Sequence, residues 1–256
     1  MNKILDSRAR LYVVIALSHL GVLVFWQAFV VLGDVRPFIM PTPLAALRTI
    51  TAPTYQWFNN SMVTAAEIYG GYGLGVGAGI GLAVLFSWSR IVNTVLMPLF
   101  VTLNMIPKVA LGPLFIVWFS FGIGSNIIIA FSICFFPILL NTARGLREVD
   151  PELLDLVKSL RASRWQVFVK IQLPGALPYV FSGMKVGAIL AVAGAIVGEF
   201  IASDSGLGFL MIQVQTTLDT AGMFMAVILI SLLGVALYLA VLGLERLVIV
   251  RDSRLD

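Results

Sequence analysis

The sequence predicts an all-α integral membrane protein with roughly six transmembrane helices. Three observations lead there. Hydrophobic residues fill 59% of the 256 positions and charged residues only 12%, against roughly 25% charged in soluble domains. The apolar residues gather into runs of about 20, the length that crosses a hydrocarbon core. Basic residues collect on one side of those runs, as short cytoplasmic loops require.

The runs lie near residues 11–32, 62–88, 92–121, 125–143, 181–203 and 223–244. The first follows a basic start but is too long for a signal-peptide core and lacks a small-x-small cleavage site, so an uncleaved span is expected. Its His19 reads as a helix-facing or interfacial residue. The second run holds "GGYGLGVGAGIG". No GxxxxGK[ST] occurs anywhere and the glycines follow no strand, so a phosphate loop is excluded. On a helix they form the rows Gly71/Gly75/Gly79 and Gly73/Gly77/Gly81, and both sides of a central packing helix are expected to be closely approached.

The third run carries Pro98, Pro107 and Pro113. Such breaks survive in a membrane where protein or a water-filled cavity satisfies the backbone. A helix beside a pathway and kinks that only improve packing are both open. The fourth run contains Cys134, which cannot form a disulfide within the chain and reads as a small packed residue. One His and one Cys leave almost no material for a metal cluster or a Cys–His nucleophile.

With the N-terminus cytoplasmic, that side receives Lys3, Arg8, Arg10, Arg90, the 144–170 loop and the tail residues Arg246, Arg251 and Arg254. The other face keeps Arg36 and Arg48. Both termini are therefore expected inside.

Between the fourth and fifth runs, "REVDPELLDLVKSLRASRWQVFVKIQLPGALP" mixes charges with helical apolar spacing. Asp150 can cap a helix, Pro151 suits its first position, and Glu152 sits in its first turn. Ser163 and Gln166 have capping-box spacing for a second helix. Trp165, Phe168 and Val169 form its apolar stripe, Lys170 is solvated, and "LPGALP" is expected to stop it. A plain connector needs only a handful of residues. The length, the two caps and the stripe favour docking to another protein over contact with anionic lipid.

Ionisable residues within spans are functional candidates by default. Glu199, Glu67 and Lys108 qualify. They line a substrate route or pair there, or else the two acids stabilise packing and Lys108 snorkels. Lys185, near a span end, reads as snorkelling. In "SDSGLGFL", Gly206 and Gly208 allow a re-entrant gate or an ordinary outer loop.

The charged segment resembles the cytoplasmic signature of permease subunits of binding-protein-dependent ABC importers, E-A-A, three residues, G, nine residues, I-x-L-P. Asp155-Leu156-Val157, Arg161 and Ile171-Gln172-Leu173-Pro174 match it with all spacings intact. "KVALGPLFIVWFSFGIGS", "SRWQ", "LPGALPY" and "VGEFIASDSGLGFL" are similar to the nitrate, sulfonate and taurine group, which includes carriers of thiamine precursors. The likeness runs from about residue 62 to the C-terminus. It implies a type I importer permease fold with cytoplasmic coupling helices. It divides the chain into an N-terminal part (1–61), a permease core (62–246, coupling loop 144–178) and a tail (247–256).

The resemblance implies ATPase coupling through Asp150, Glu152, Asp155, Leu156, Val157, Arg161, Ser163, Arg164, Trp165, Ile171, Leu173 and Pro174. It further implies a homodimer in the cell inner membrane, two ATPase subunits holding ATP and Mg, an extracytoplasmic solute-binding protein and surrounding lipid. Neither a nucleic-acid partner nor a cofactor on this chain is expected, and the chain itself performs no covalent chemistry. Two departures stand out. Leu156 and Val157 replace the family's paired alanines, and Arg161 replaces its glycine, where a non-glycine residue at φ > 0 costs on the order of 1–2 kcal/mol.

The expected cargo is a small polar solute: a sulfonate, taurine, nitrate or a pyrimidine-type thiamine precursor. The two acids favour a neutral heterocycle or a zwitterion. An ion-gradient-driven secondary transporter is the alternative, although no internal repeat is visible. An intramembrane enzyme lacks a nucleophile–base pair.

Overall fold

In hydrocarbon a chain must satisfy its own backbone, which a helix does within one segment. The computed structural model describes residues 2–148 and 151–249, without side chains at 2–9, 11, 12, 90, 151, 154, 155, 158 and 202. Its helices are α1 (Asn2–Leu32), α2 (Pro43–Arg48), α3 (Trp57–Ser87), α4 (Arg90–Asn104), α5 (Gly112–Phe119), α6 (Ile123–Gly145), α7 (Pro151–Ser159), α8 (Arg164–Val167), α9 (Leu173–Ala202), α10 (Leu207–Gln215) and α11 (Thr220–Val248). The described residues contain no strand. Among them, five stretches are long and apolar enough to cross a membrane, and a bent pair makes a sixth when counted as one span.

The chain forms two compact units. The first comprises Met1–Phe58 with Leu210–Leu229. Most described side chains of α1 are exposed, as lipid-facing residues are. The loop after α1 is tied by side chains to backbone. The Trp26 indole N–H donates to the Pro41 carbonyl at 3.1 Å, and Thr42 caps α2 by accepting from the Ala45 N–H. Tyr55 donates to Asp219 at 2.6 Å, and Thr220 donates to the Pro37 carbonyl at 2.6 Å.

The second unit, Asn59–Phe209 with Ile230–Asp256, holds the main core. That core joins Ile68 and Tyr72 of α3, Ala130, Cys134 and Ile138 of α6, Ala188, Ala191 and Ala195 of α9, and Leu237 and Val241 of α11. Within it α6 and α9 pack extensively against each other. Gly183, Gly187, Gly194 and Gly198 let α9 meet the α6 backbone. A Cβ on Gly194 would stand 2.7 Å from the Ala130 Cα.

Of the two glycine rows on α3, only one is closely approached. Cβ atoms on Gly71, Gly75 and Gly79 would meet Ala130, Cys134 and Ile138 at 2.5 to 3.0 Å. Gly73, Gly77 and Gly81 have nothing within 4 Å. Two-sided packing is thus corrected to one-sided within this chain, because a single helix, α6, supplies all three neighbours.

Prolines act unequally. Pro98 is accommodated inside α4 and Pro113 begins α5. The chain turns by 80° between them, at the break that contains Pro107. The expectation that "LPGALP" stops a helix is also corrected. The chain runs on from α8 through a π-helical turn, Phe168–Gln172, into α9, with Pro174 in its first turn and Pro178 inside it. The wider turn, closed by the Leu173 N–H on the Phe168 carbonyl, makes room where the Pro174 ring would otherwise press on the preceding turn.

Lys185 is corrected as well. It donates to both Glu245 oxygens at 3.0 Å, with the two side chains 26% and 20% exposed. An ion pair at a span's end removes the need to snorkel.

Two expectations follow. Gly194→Val should destabilise the fold by about 2 kcal/mol, whereas Gly73→Ala should leave it unchanged, as read from thermal melting in detergent. Lys185→Met should cost about 1 kcal/mol after allowance for solvent screening, with much of that recovered when Glu245→Leu is added in a double-mutant cycle.

Candidate functional site

Two places in the second unit collect the candidate residues. One is the charged segment. In α7, Glu152 lies exposed in the first turn, while Asp150 and the Asp155 side chain fall outside the described residues. Leu156 is exposed and Val157 half-buried. The helix ends with the Ala162 N–H bonded to the Val157 carbonyl at 3.0 Å and Arg161 at φ +54°. This is the six-to-one bond of a Schellman turn, with arginine at the left-handed position that favours glycine.

Ser163 then caps α8. Its hydroxyl accepts from the Gln166 N–H at 3.2 Å, and Gln166 Oε1 accepts from the Ser163 N–H at 2.8 Å. Arg164 is exposed. The expected stripe splits. Phe168 is buried among Ala83, Phe86, Leu139 and Leu146, Val169 is exposed, and Trp165 stays 60% exposed while its ring sits 5.9 Å from Trp88 and 6.0 Å from Phe168. Ile171 and Leu173 are half-buried and Pro174 is exposed. The segment therefore has an anchored ring and an outer surface that includes Leu153, Leu156, Leu160 and Trp165.

The other place is a buried polar cluster where α3, α6, α9 and the start of α10 meet. Glu67 is 0% and Glu199 1% exposed, so neither reaches a surface. Both carboxyl groups belong to this one cluster. Glu199 also accepts from the Thr64 hydroxyl at 2.5 Å, from the Gly208 N–H and from the Phe209 N–H at 3.3 Å. Thr64 accepts from the Leu207 N–H at 2.8 Å, and Asn60 accepts from the Gly206 N–H at 2.9 Å. Four successive backbone donors of a helix start are thus met by three side chains. A carboxylate is well placed there, at the positive end of the helix dipole.

Gly206, at φ +108°, and Gly208 are needed at this spot. A Cβ on Gly208 would come within 2.9 Å of Glu199 Oε2, and one on Gly206 would overlap the same carboxyl. Asn126 donates to Glu67 Oε1 at 2.8 Å.

Lys108 sits apart from this cluster, at the bend after α4. It donates to the Asn104 carbonyl and to Asn104 Oδ1 at 2.8 Å, and lies 4.6 Å over the Phe136 ring. Its charge meets the negative end of a helix and an aromatic face. His19 lies with Nδ1 2.8 Å from the Ile15 carbonyl, one turn back, and Cys134 is buried against α3.

Sequence reasoning missed Thr64 and Asn126 as partners of the acids, and Asn60 as the acceptor for the Gly206 N–H. Their signal was faint: polar side chains in or beside long apolar runs, each of which must find a partner. Glu245 was missed as the partner of Lys185 for want of any depth scale along the spans.

Residues 75–250 match the family described as binding-protein-dependent transport system inner membrane component. The chain is similar to a riboflavin transport system permease of Chloroflexus aurantiacus, 35% identical over 89% of this chain and 85% of that one. It is also similar to a formylaminopyrimidine transport permease of Halalkalibacterium halodurans, 32% identical over 84% and 86%. Its fold matches a solved chain of the MetNI methionine ABC transporter in an inward-facing conformation, with a TM-score of 0.66 at 20% identity, over 77% of this chain and 99% of that one. With this fold and this match, the chain belongs to the family of binding-protein-dependent ABC importer permeases, as a multi-pass membrane subunit whose ATPase is a separate protein.

Proposed function

We propose that this permease carries a small, uncharged or zwitterionic heterocycle into the cytoplasm, as a homodimer in the cell inner membrane with both termini cytoplasmic. Two ATPase subunits, holding ATP and Mg, dock on α7 and α8, and an extracytoplasmic binding protein delivers the solute. The observation that carries the coupling assignment is the outer surface of the α7–α8 segment. Leu156, Leu160 and Trp165 are 56%, 71% and 60% exposed on short helices whose own caps hold them in shape. Apolar groups presented on a capped, charged segment fit a protein cleft better than they fit water.

Closure of the ATPases moves α7 and α8, and the movement passes into the spans and alternates access. Gly206 and Gly208 belong to the gate candidate, at the start of α10. Glu67 and Glu199, with no exposed surface, serve packing in this reading more than contact with solute. The cargo assignment leans on the two relatives named for a pyrimidine and for riboflavin, both heterocycles.

Purification of the tagged chain from its native membranes, with residues 150–174 intact or scrambled, tests the coupling. A stoichiometric ATPase is expected with the intact segment alone. No ATPase with either would overturn the coupling assignment. Leu160→Asp should weaken ATPase association by about 2 kcal/mol, some thirtyfold. Arg161→Gly should leave association within about twofold while relieving roughly 1 kcal/mol of backbone strain. Uptake assays should then favour a labelled hydroxymethylpyrimidine-type solute over taurine or nitrate, and the reverse order would overturn the cargo assignment without touching the coupling.

A further inference from the structure

The buried acids differ in what surrounds them. Glu199 is crowded with donors: the Thr64 hydroxyl and the N–H groups of Gly208 and Phe209 all point at its two oxygens. Glu67 receives one donor, the Asn126 amide, on Oε1, and its Oε2 is buried with no donor at all. The hydrogen-bond partners described for the two carboxyls are a hydroxyl, an amide and backbone N–H groups. Two carboxyl groups buried in one cluster favour a shared hydrogen, which gives the orphaned Glu67 oxygen a partner and avoids a second bare carboxylate beside the first.

We infer that Glu67 and Glu199 form an asymmetric pair, in which Glu67 supplies the hydrogen and Glu199 is the full acceptor that positions the first turn of α10. Glu67 then satisfies both its oxygens, one by accepting from Asn126 and one by donating to Glu199. Glu199 gathers the Thr64 hydroxyl and the Gly208 and Phe209 N–H groups, and its single negative charge rests on the positive end of a helix. Glu67 is a positioning residue that acts through Glu199. The pair holds residues 206–209 from α3 and α9 together, which leaves the gate candidate fixed by side chains more than by its own length.

Glutamine tests the assignment, because its amide can donate but cannot serve as a second carboxylate. At position 67 the glutamine oxygen can still accept from Asn126 while its NH₂ donates to Glu199. At position 199 the NH₂ group would face backbone N–H groups. The experiment uses the full chain in lipid nanodiscs. Infrared spectra read the carbonyl stretch of an un-ionised carboxylic acid, and amide hydrogen exchange reads residues 206–209.

The difference spectrum between the wild type and Glu67→Gln is expected to show loss of that carbonyl band, with exchange at 206–209 kept within about twofold. Glu199→Gln should speed that exchange at least about tenfold, the equivalent of roughly 1.4 kcal/mol. An unchanged carbonyl region in Glu67→Gln would overturn the inference. So would exchange that rises as much in Glu67→Gln as in Glu199→Gln. Should Glu199→Gln not fold, the infrared difference and the exchange of Glu67→Gln decide the matter alone. Neither readout involves transport or the ATPase, so this inference and the importer reading stand or fall separately.

Discussion

The close approach of α6 to its neighbours is the constraint on which the second unit depends. Lipid is as apolar as leucine, so helices gain little there by burying leucine against leucine. They gain by bringing backbones near enough for dense van der Waals contact, and that needs side chains small enough to leave the space free. Gly71, Gly75 and Gly79 provide it on the α3 side, and Gly183, Gly187, Gly194 and Gly198 on the α9 side. With α6 held between them, Asn126 reaches Glu67 and Ser203, and the polar cluster is assembled as a by-product of the packing.

Three charges in or near the spans have found three different local answers. Lys185 takes a carboxylate, Lys108 takes a helix end and an aromatic face, and Glu199 takes a helix start. These solutions draw on groups already present in the backbone or one helix away. They let a membrane segment carry ionisable residues that are partnered within the protein. An intramembrane acid is therefore a weaker pointer to a solute path than its cost alone implies.

Much of the architecture was legible in the sequence, because run length and loop charge report directly on a slab of known thickness. The family signature was legible too, through spacings that survive where residue types have changed, as at Leu156, Val157 and Arg161. Three features were not. The continuation past Pro174 depends on a π-turn that no proline rule encodes. The one-sided use of the α3 glycines depends on where α6 lies, which is a tertiary fact. The meeting of Glu67 with Glu199 joins positions more than a hundred residues apart, and a single sequence carries no sign of which polar residues share a depth.

The same π-turn has a mechanical consequence. Because the chain does not break at "LPGALP", α8, the turn and α9 form one helical rod from Arg164 to Ala202. At about 1.5 Å per residue it is roughly 55 Å long. Trp165 stands at one end and Glu199 near the other. Tilting a helix of that length by about 5° about one end would sweep the far end through roughly 5 Å. The two ends are thereby tied to one another through a single run of helix, which a break at the prolines would have parted.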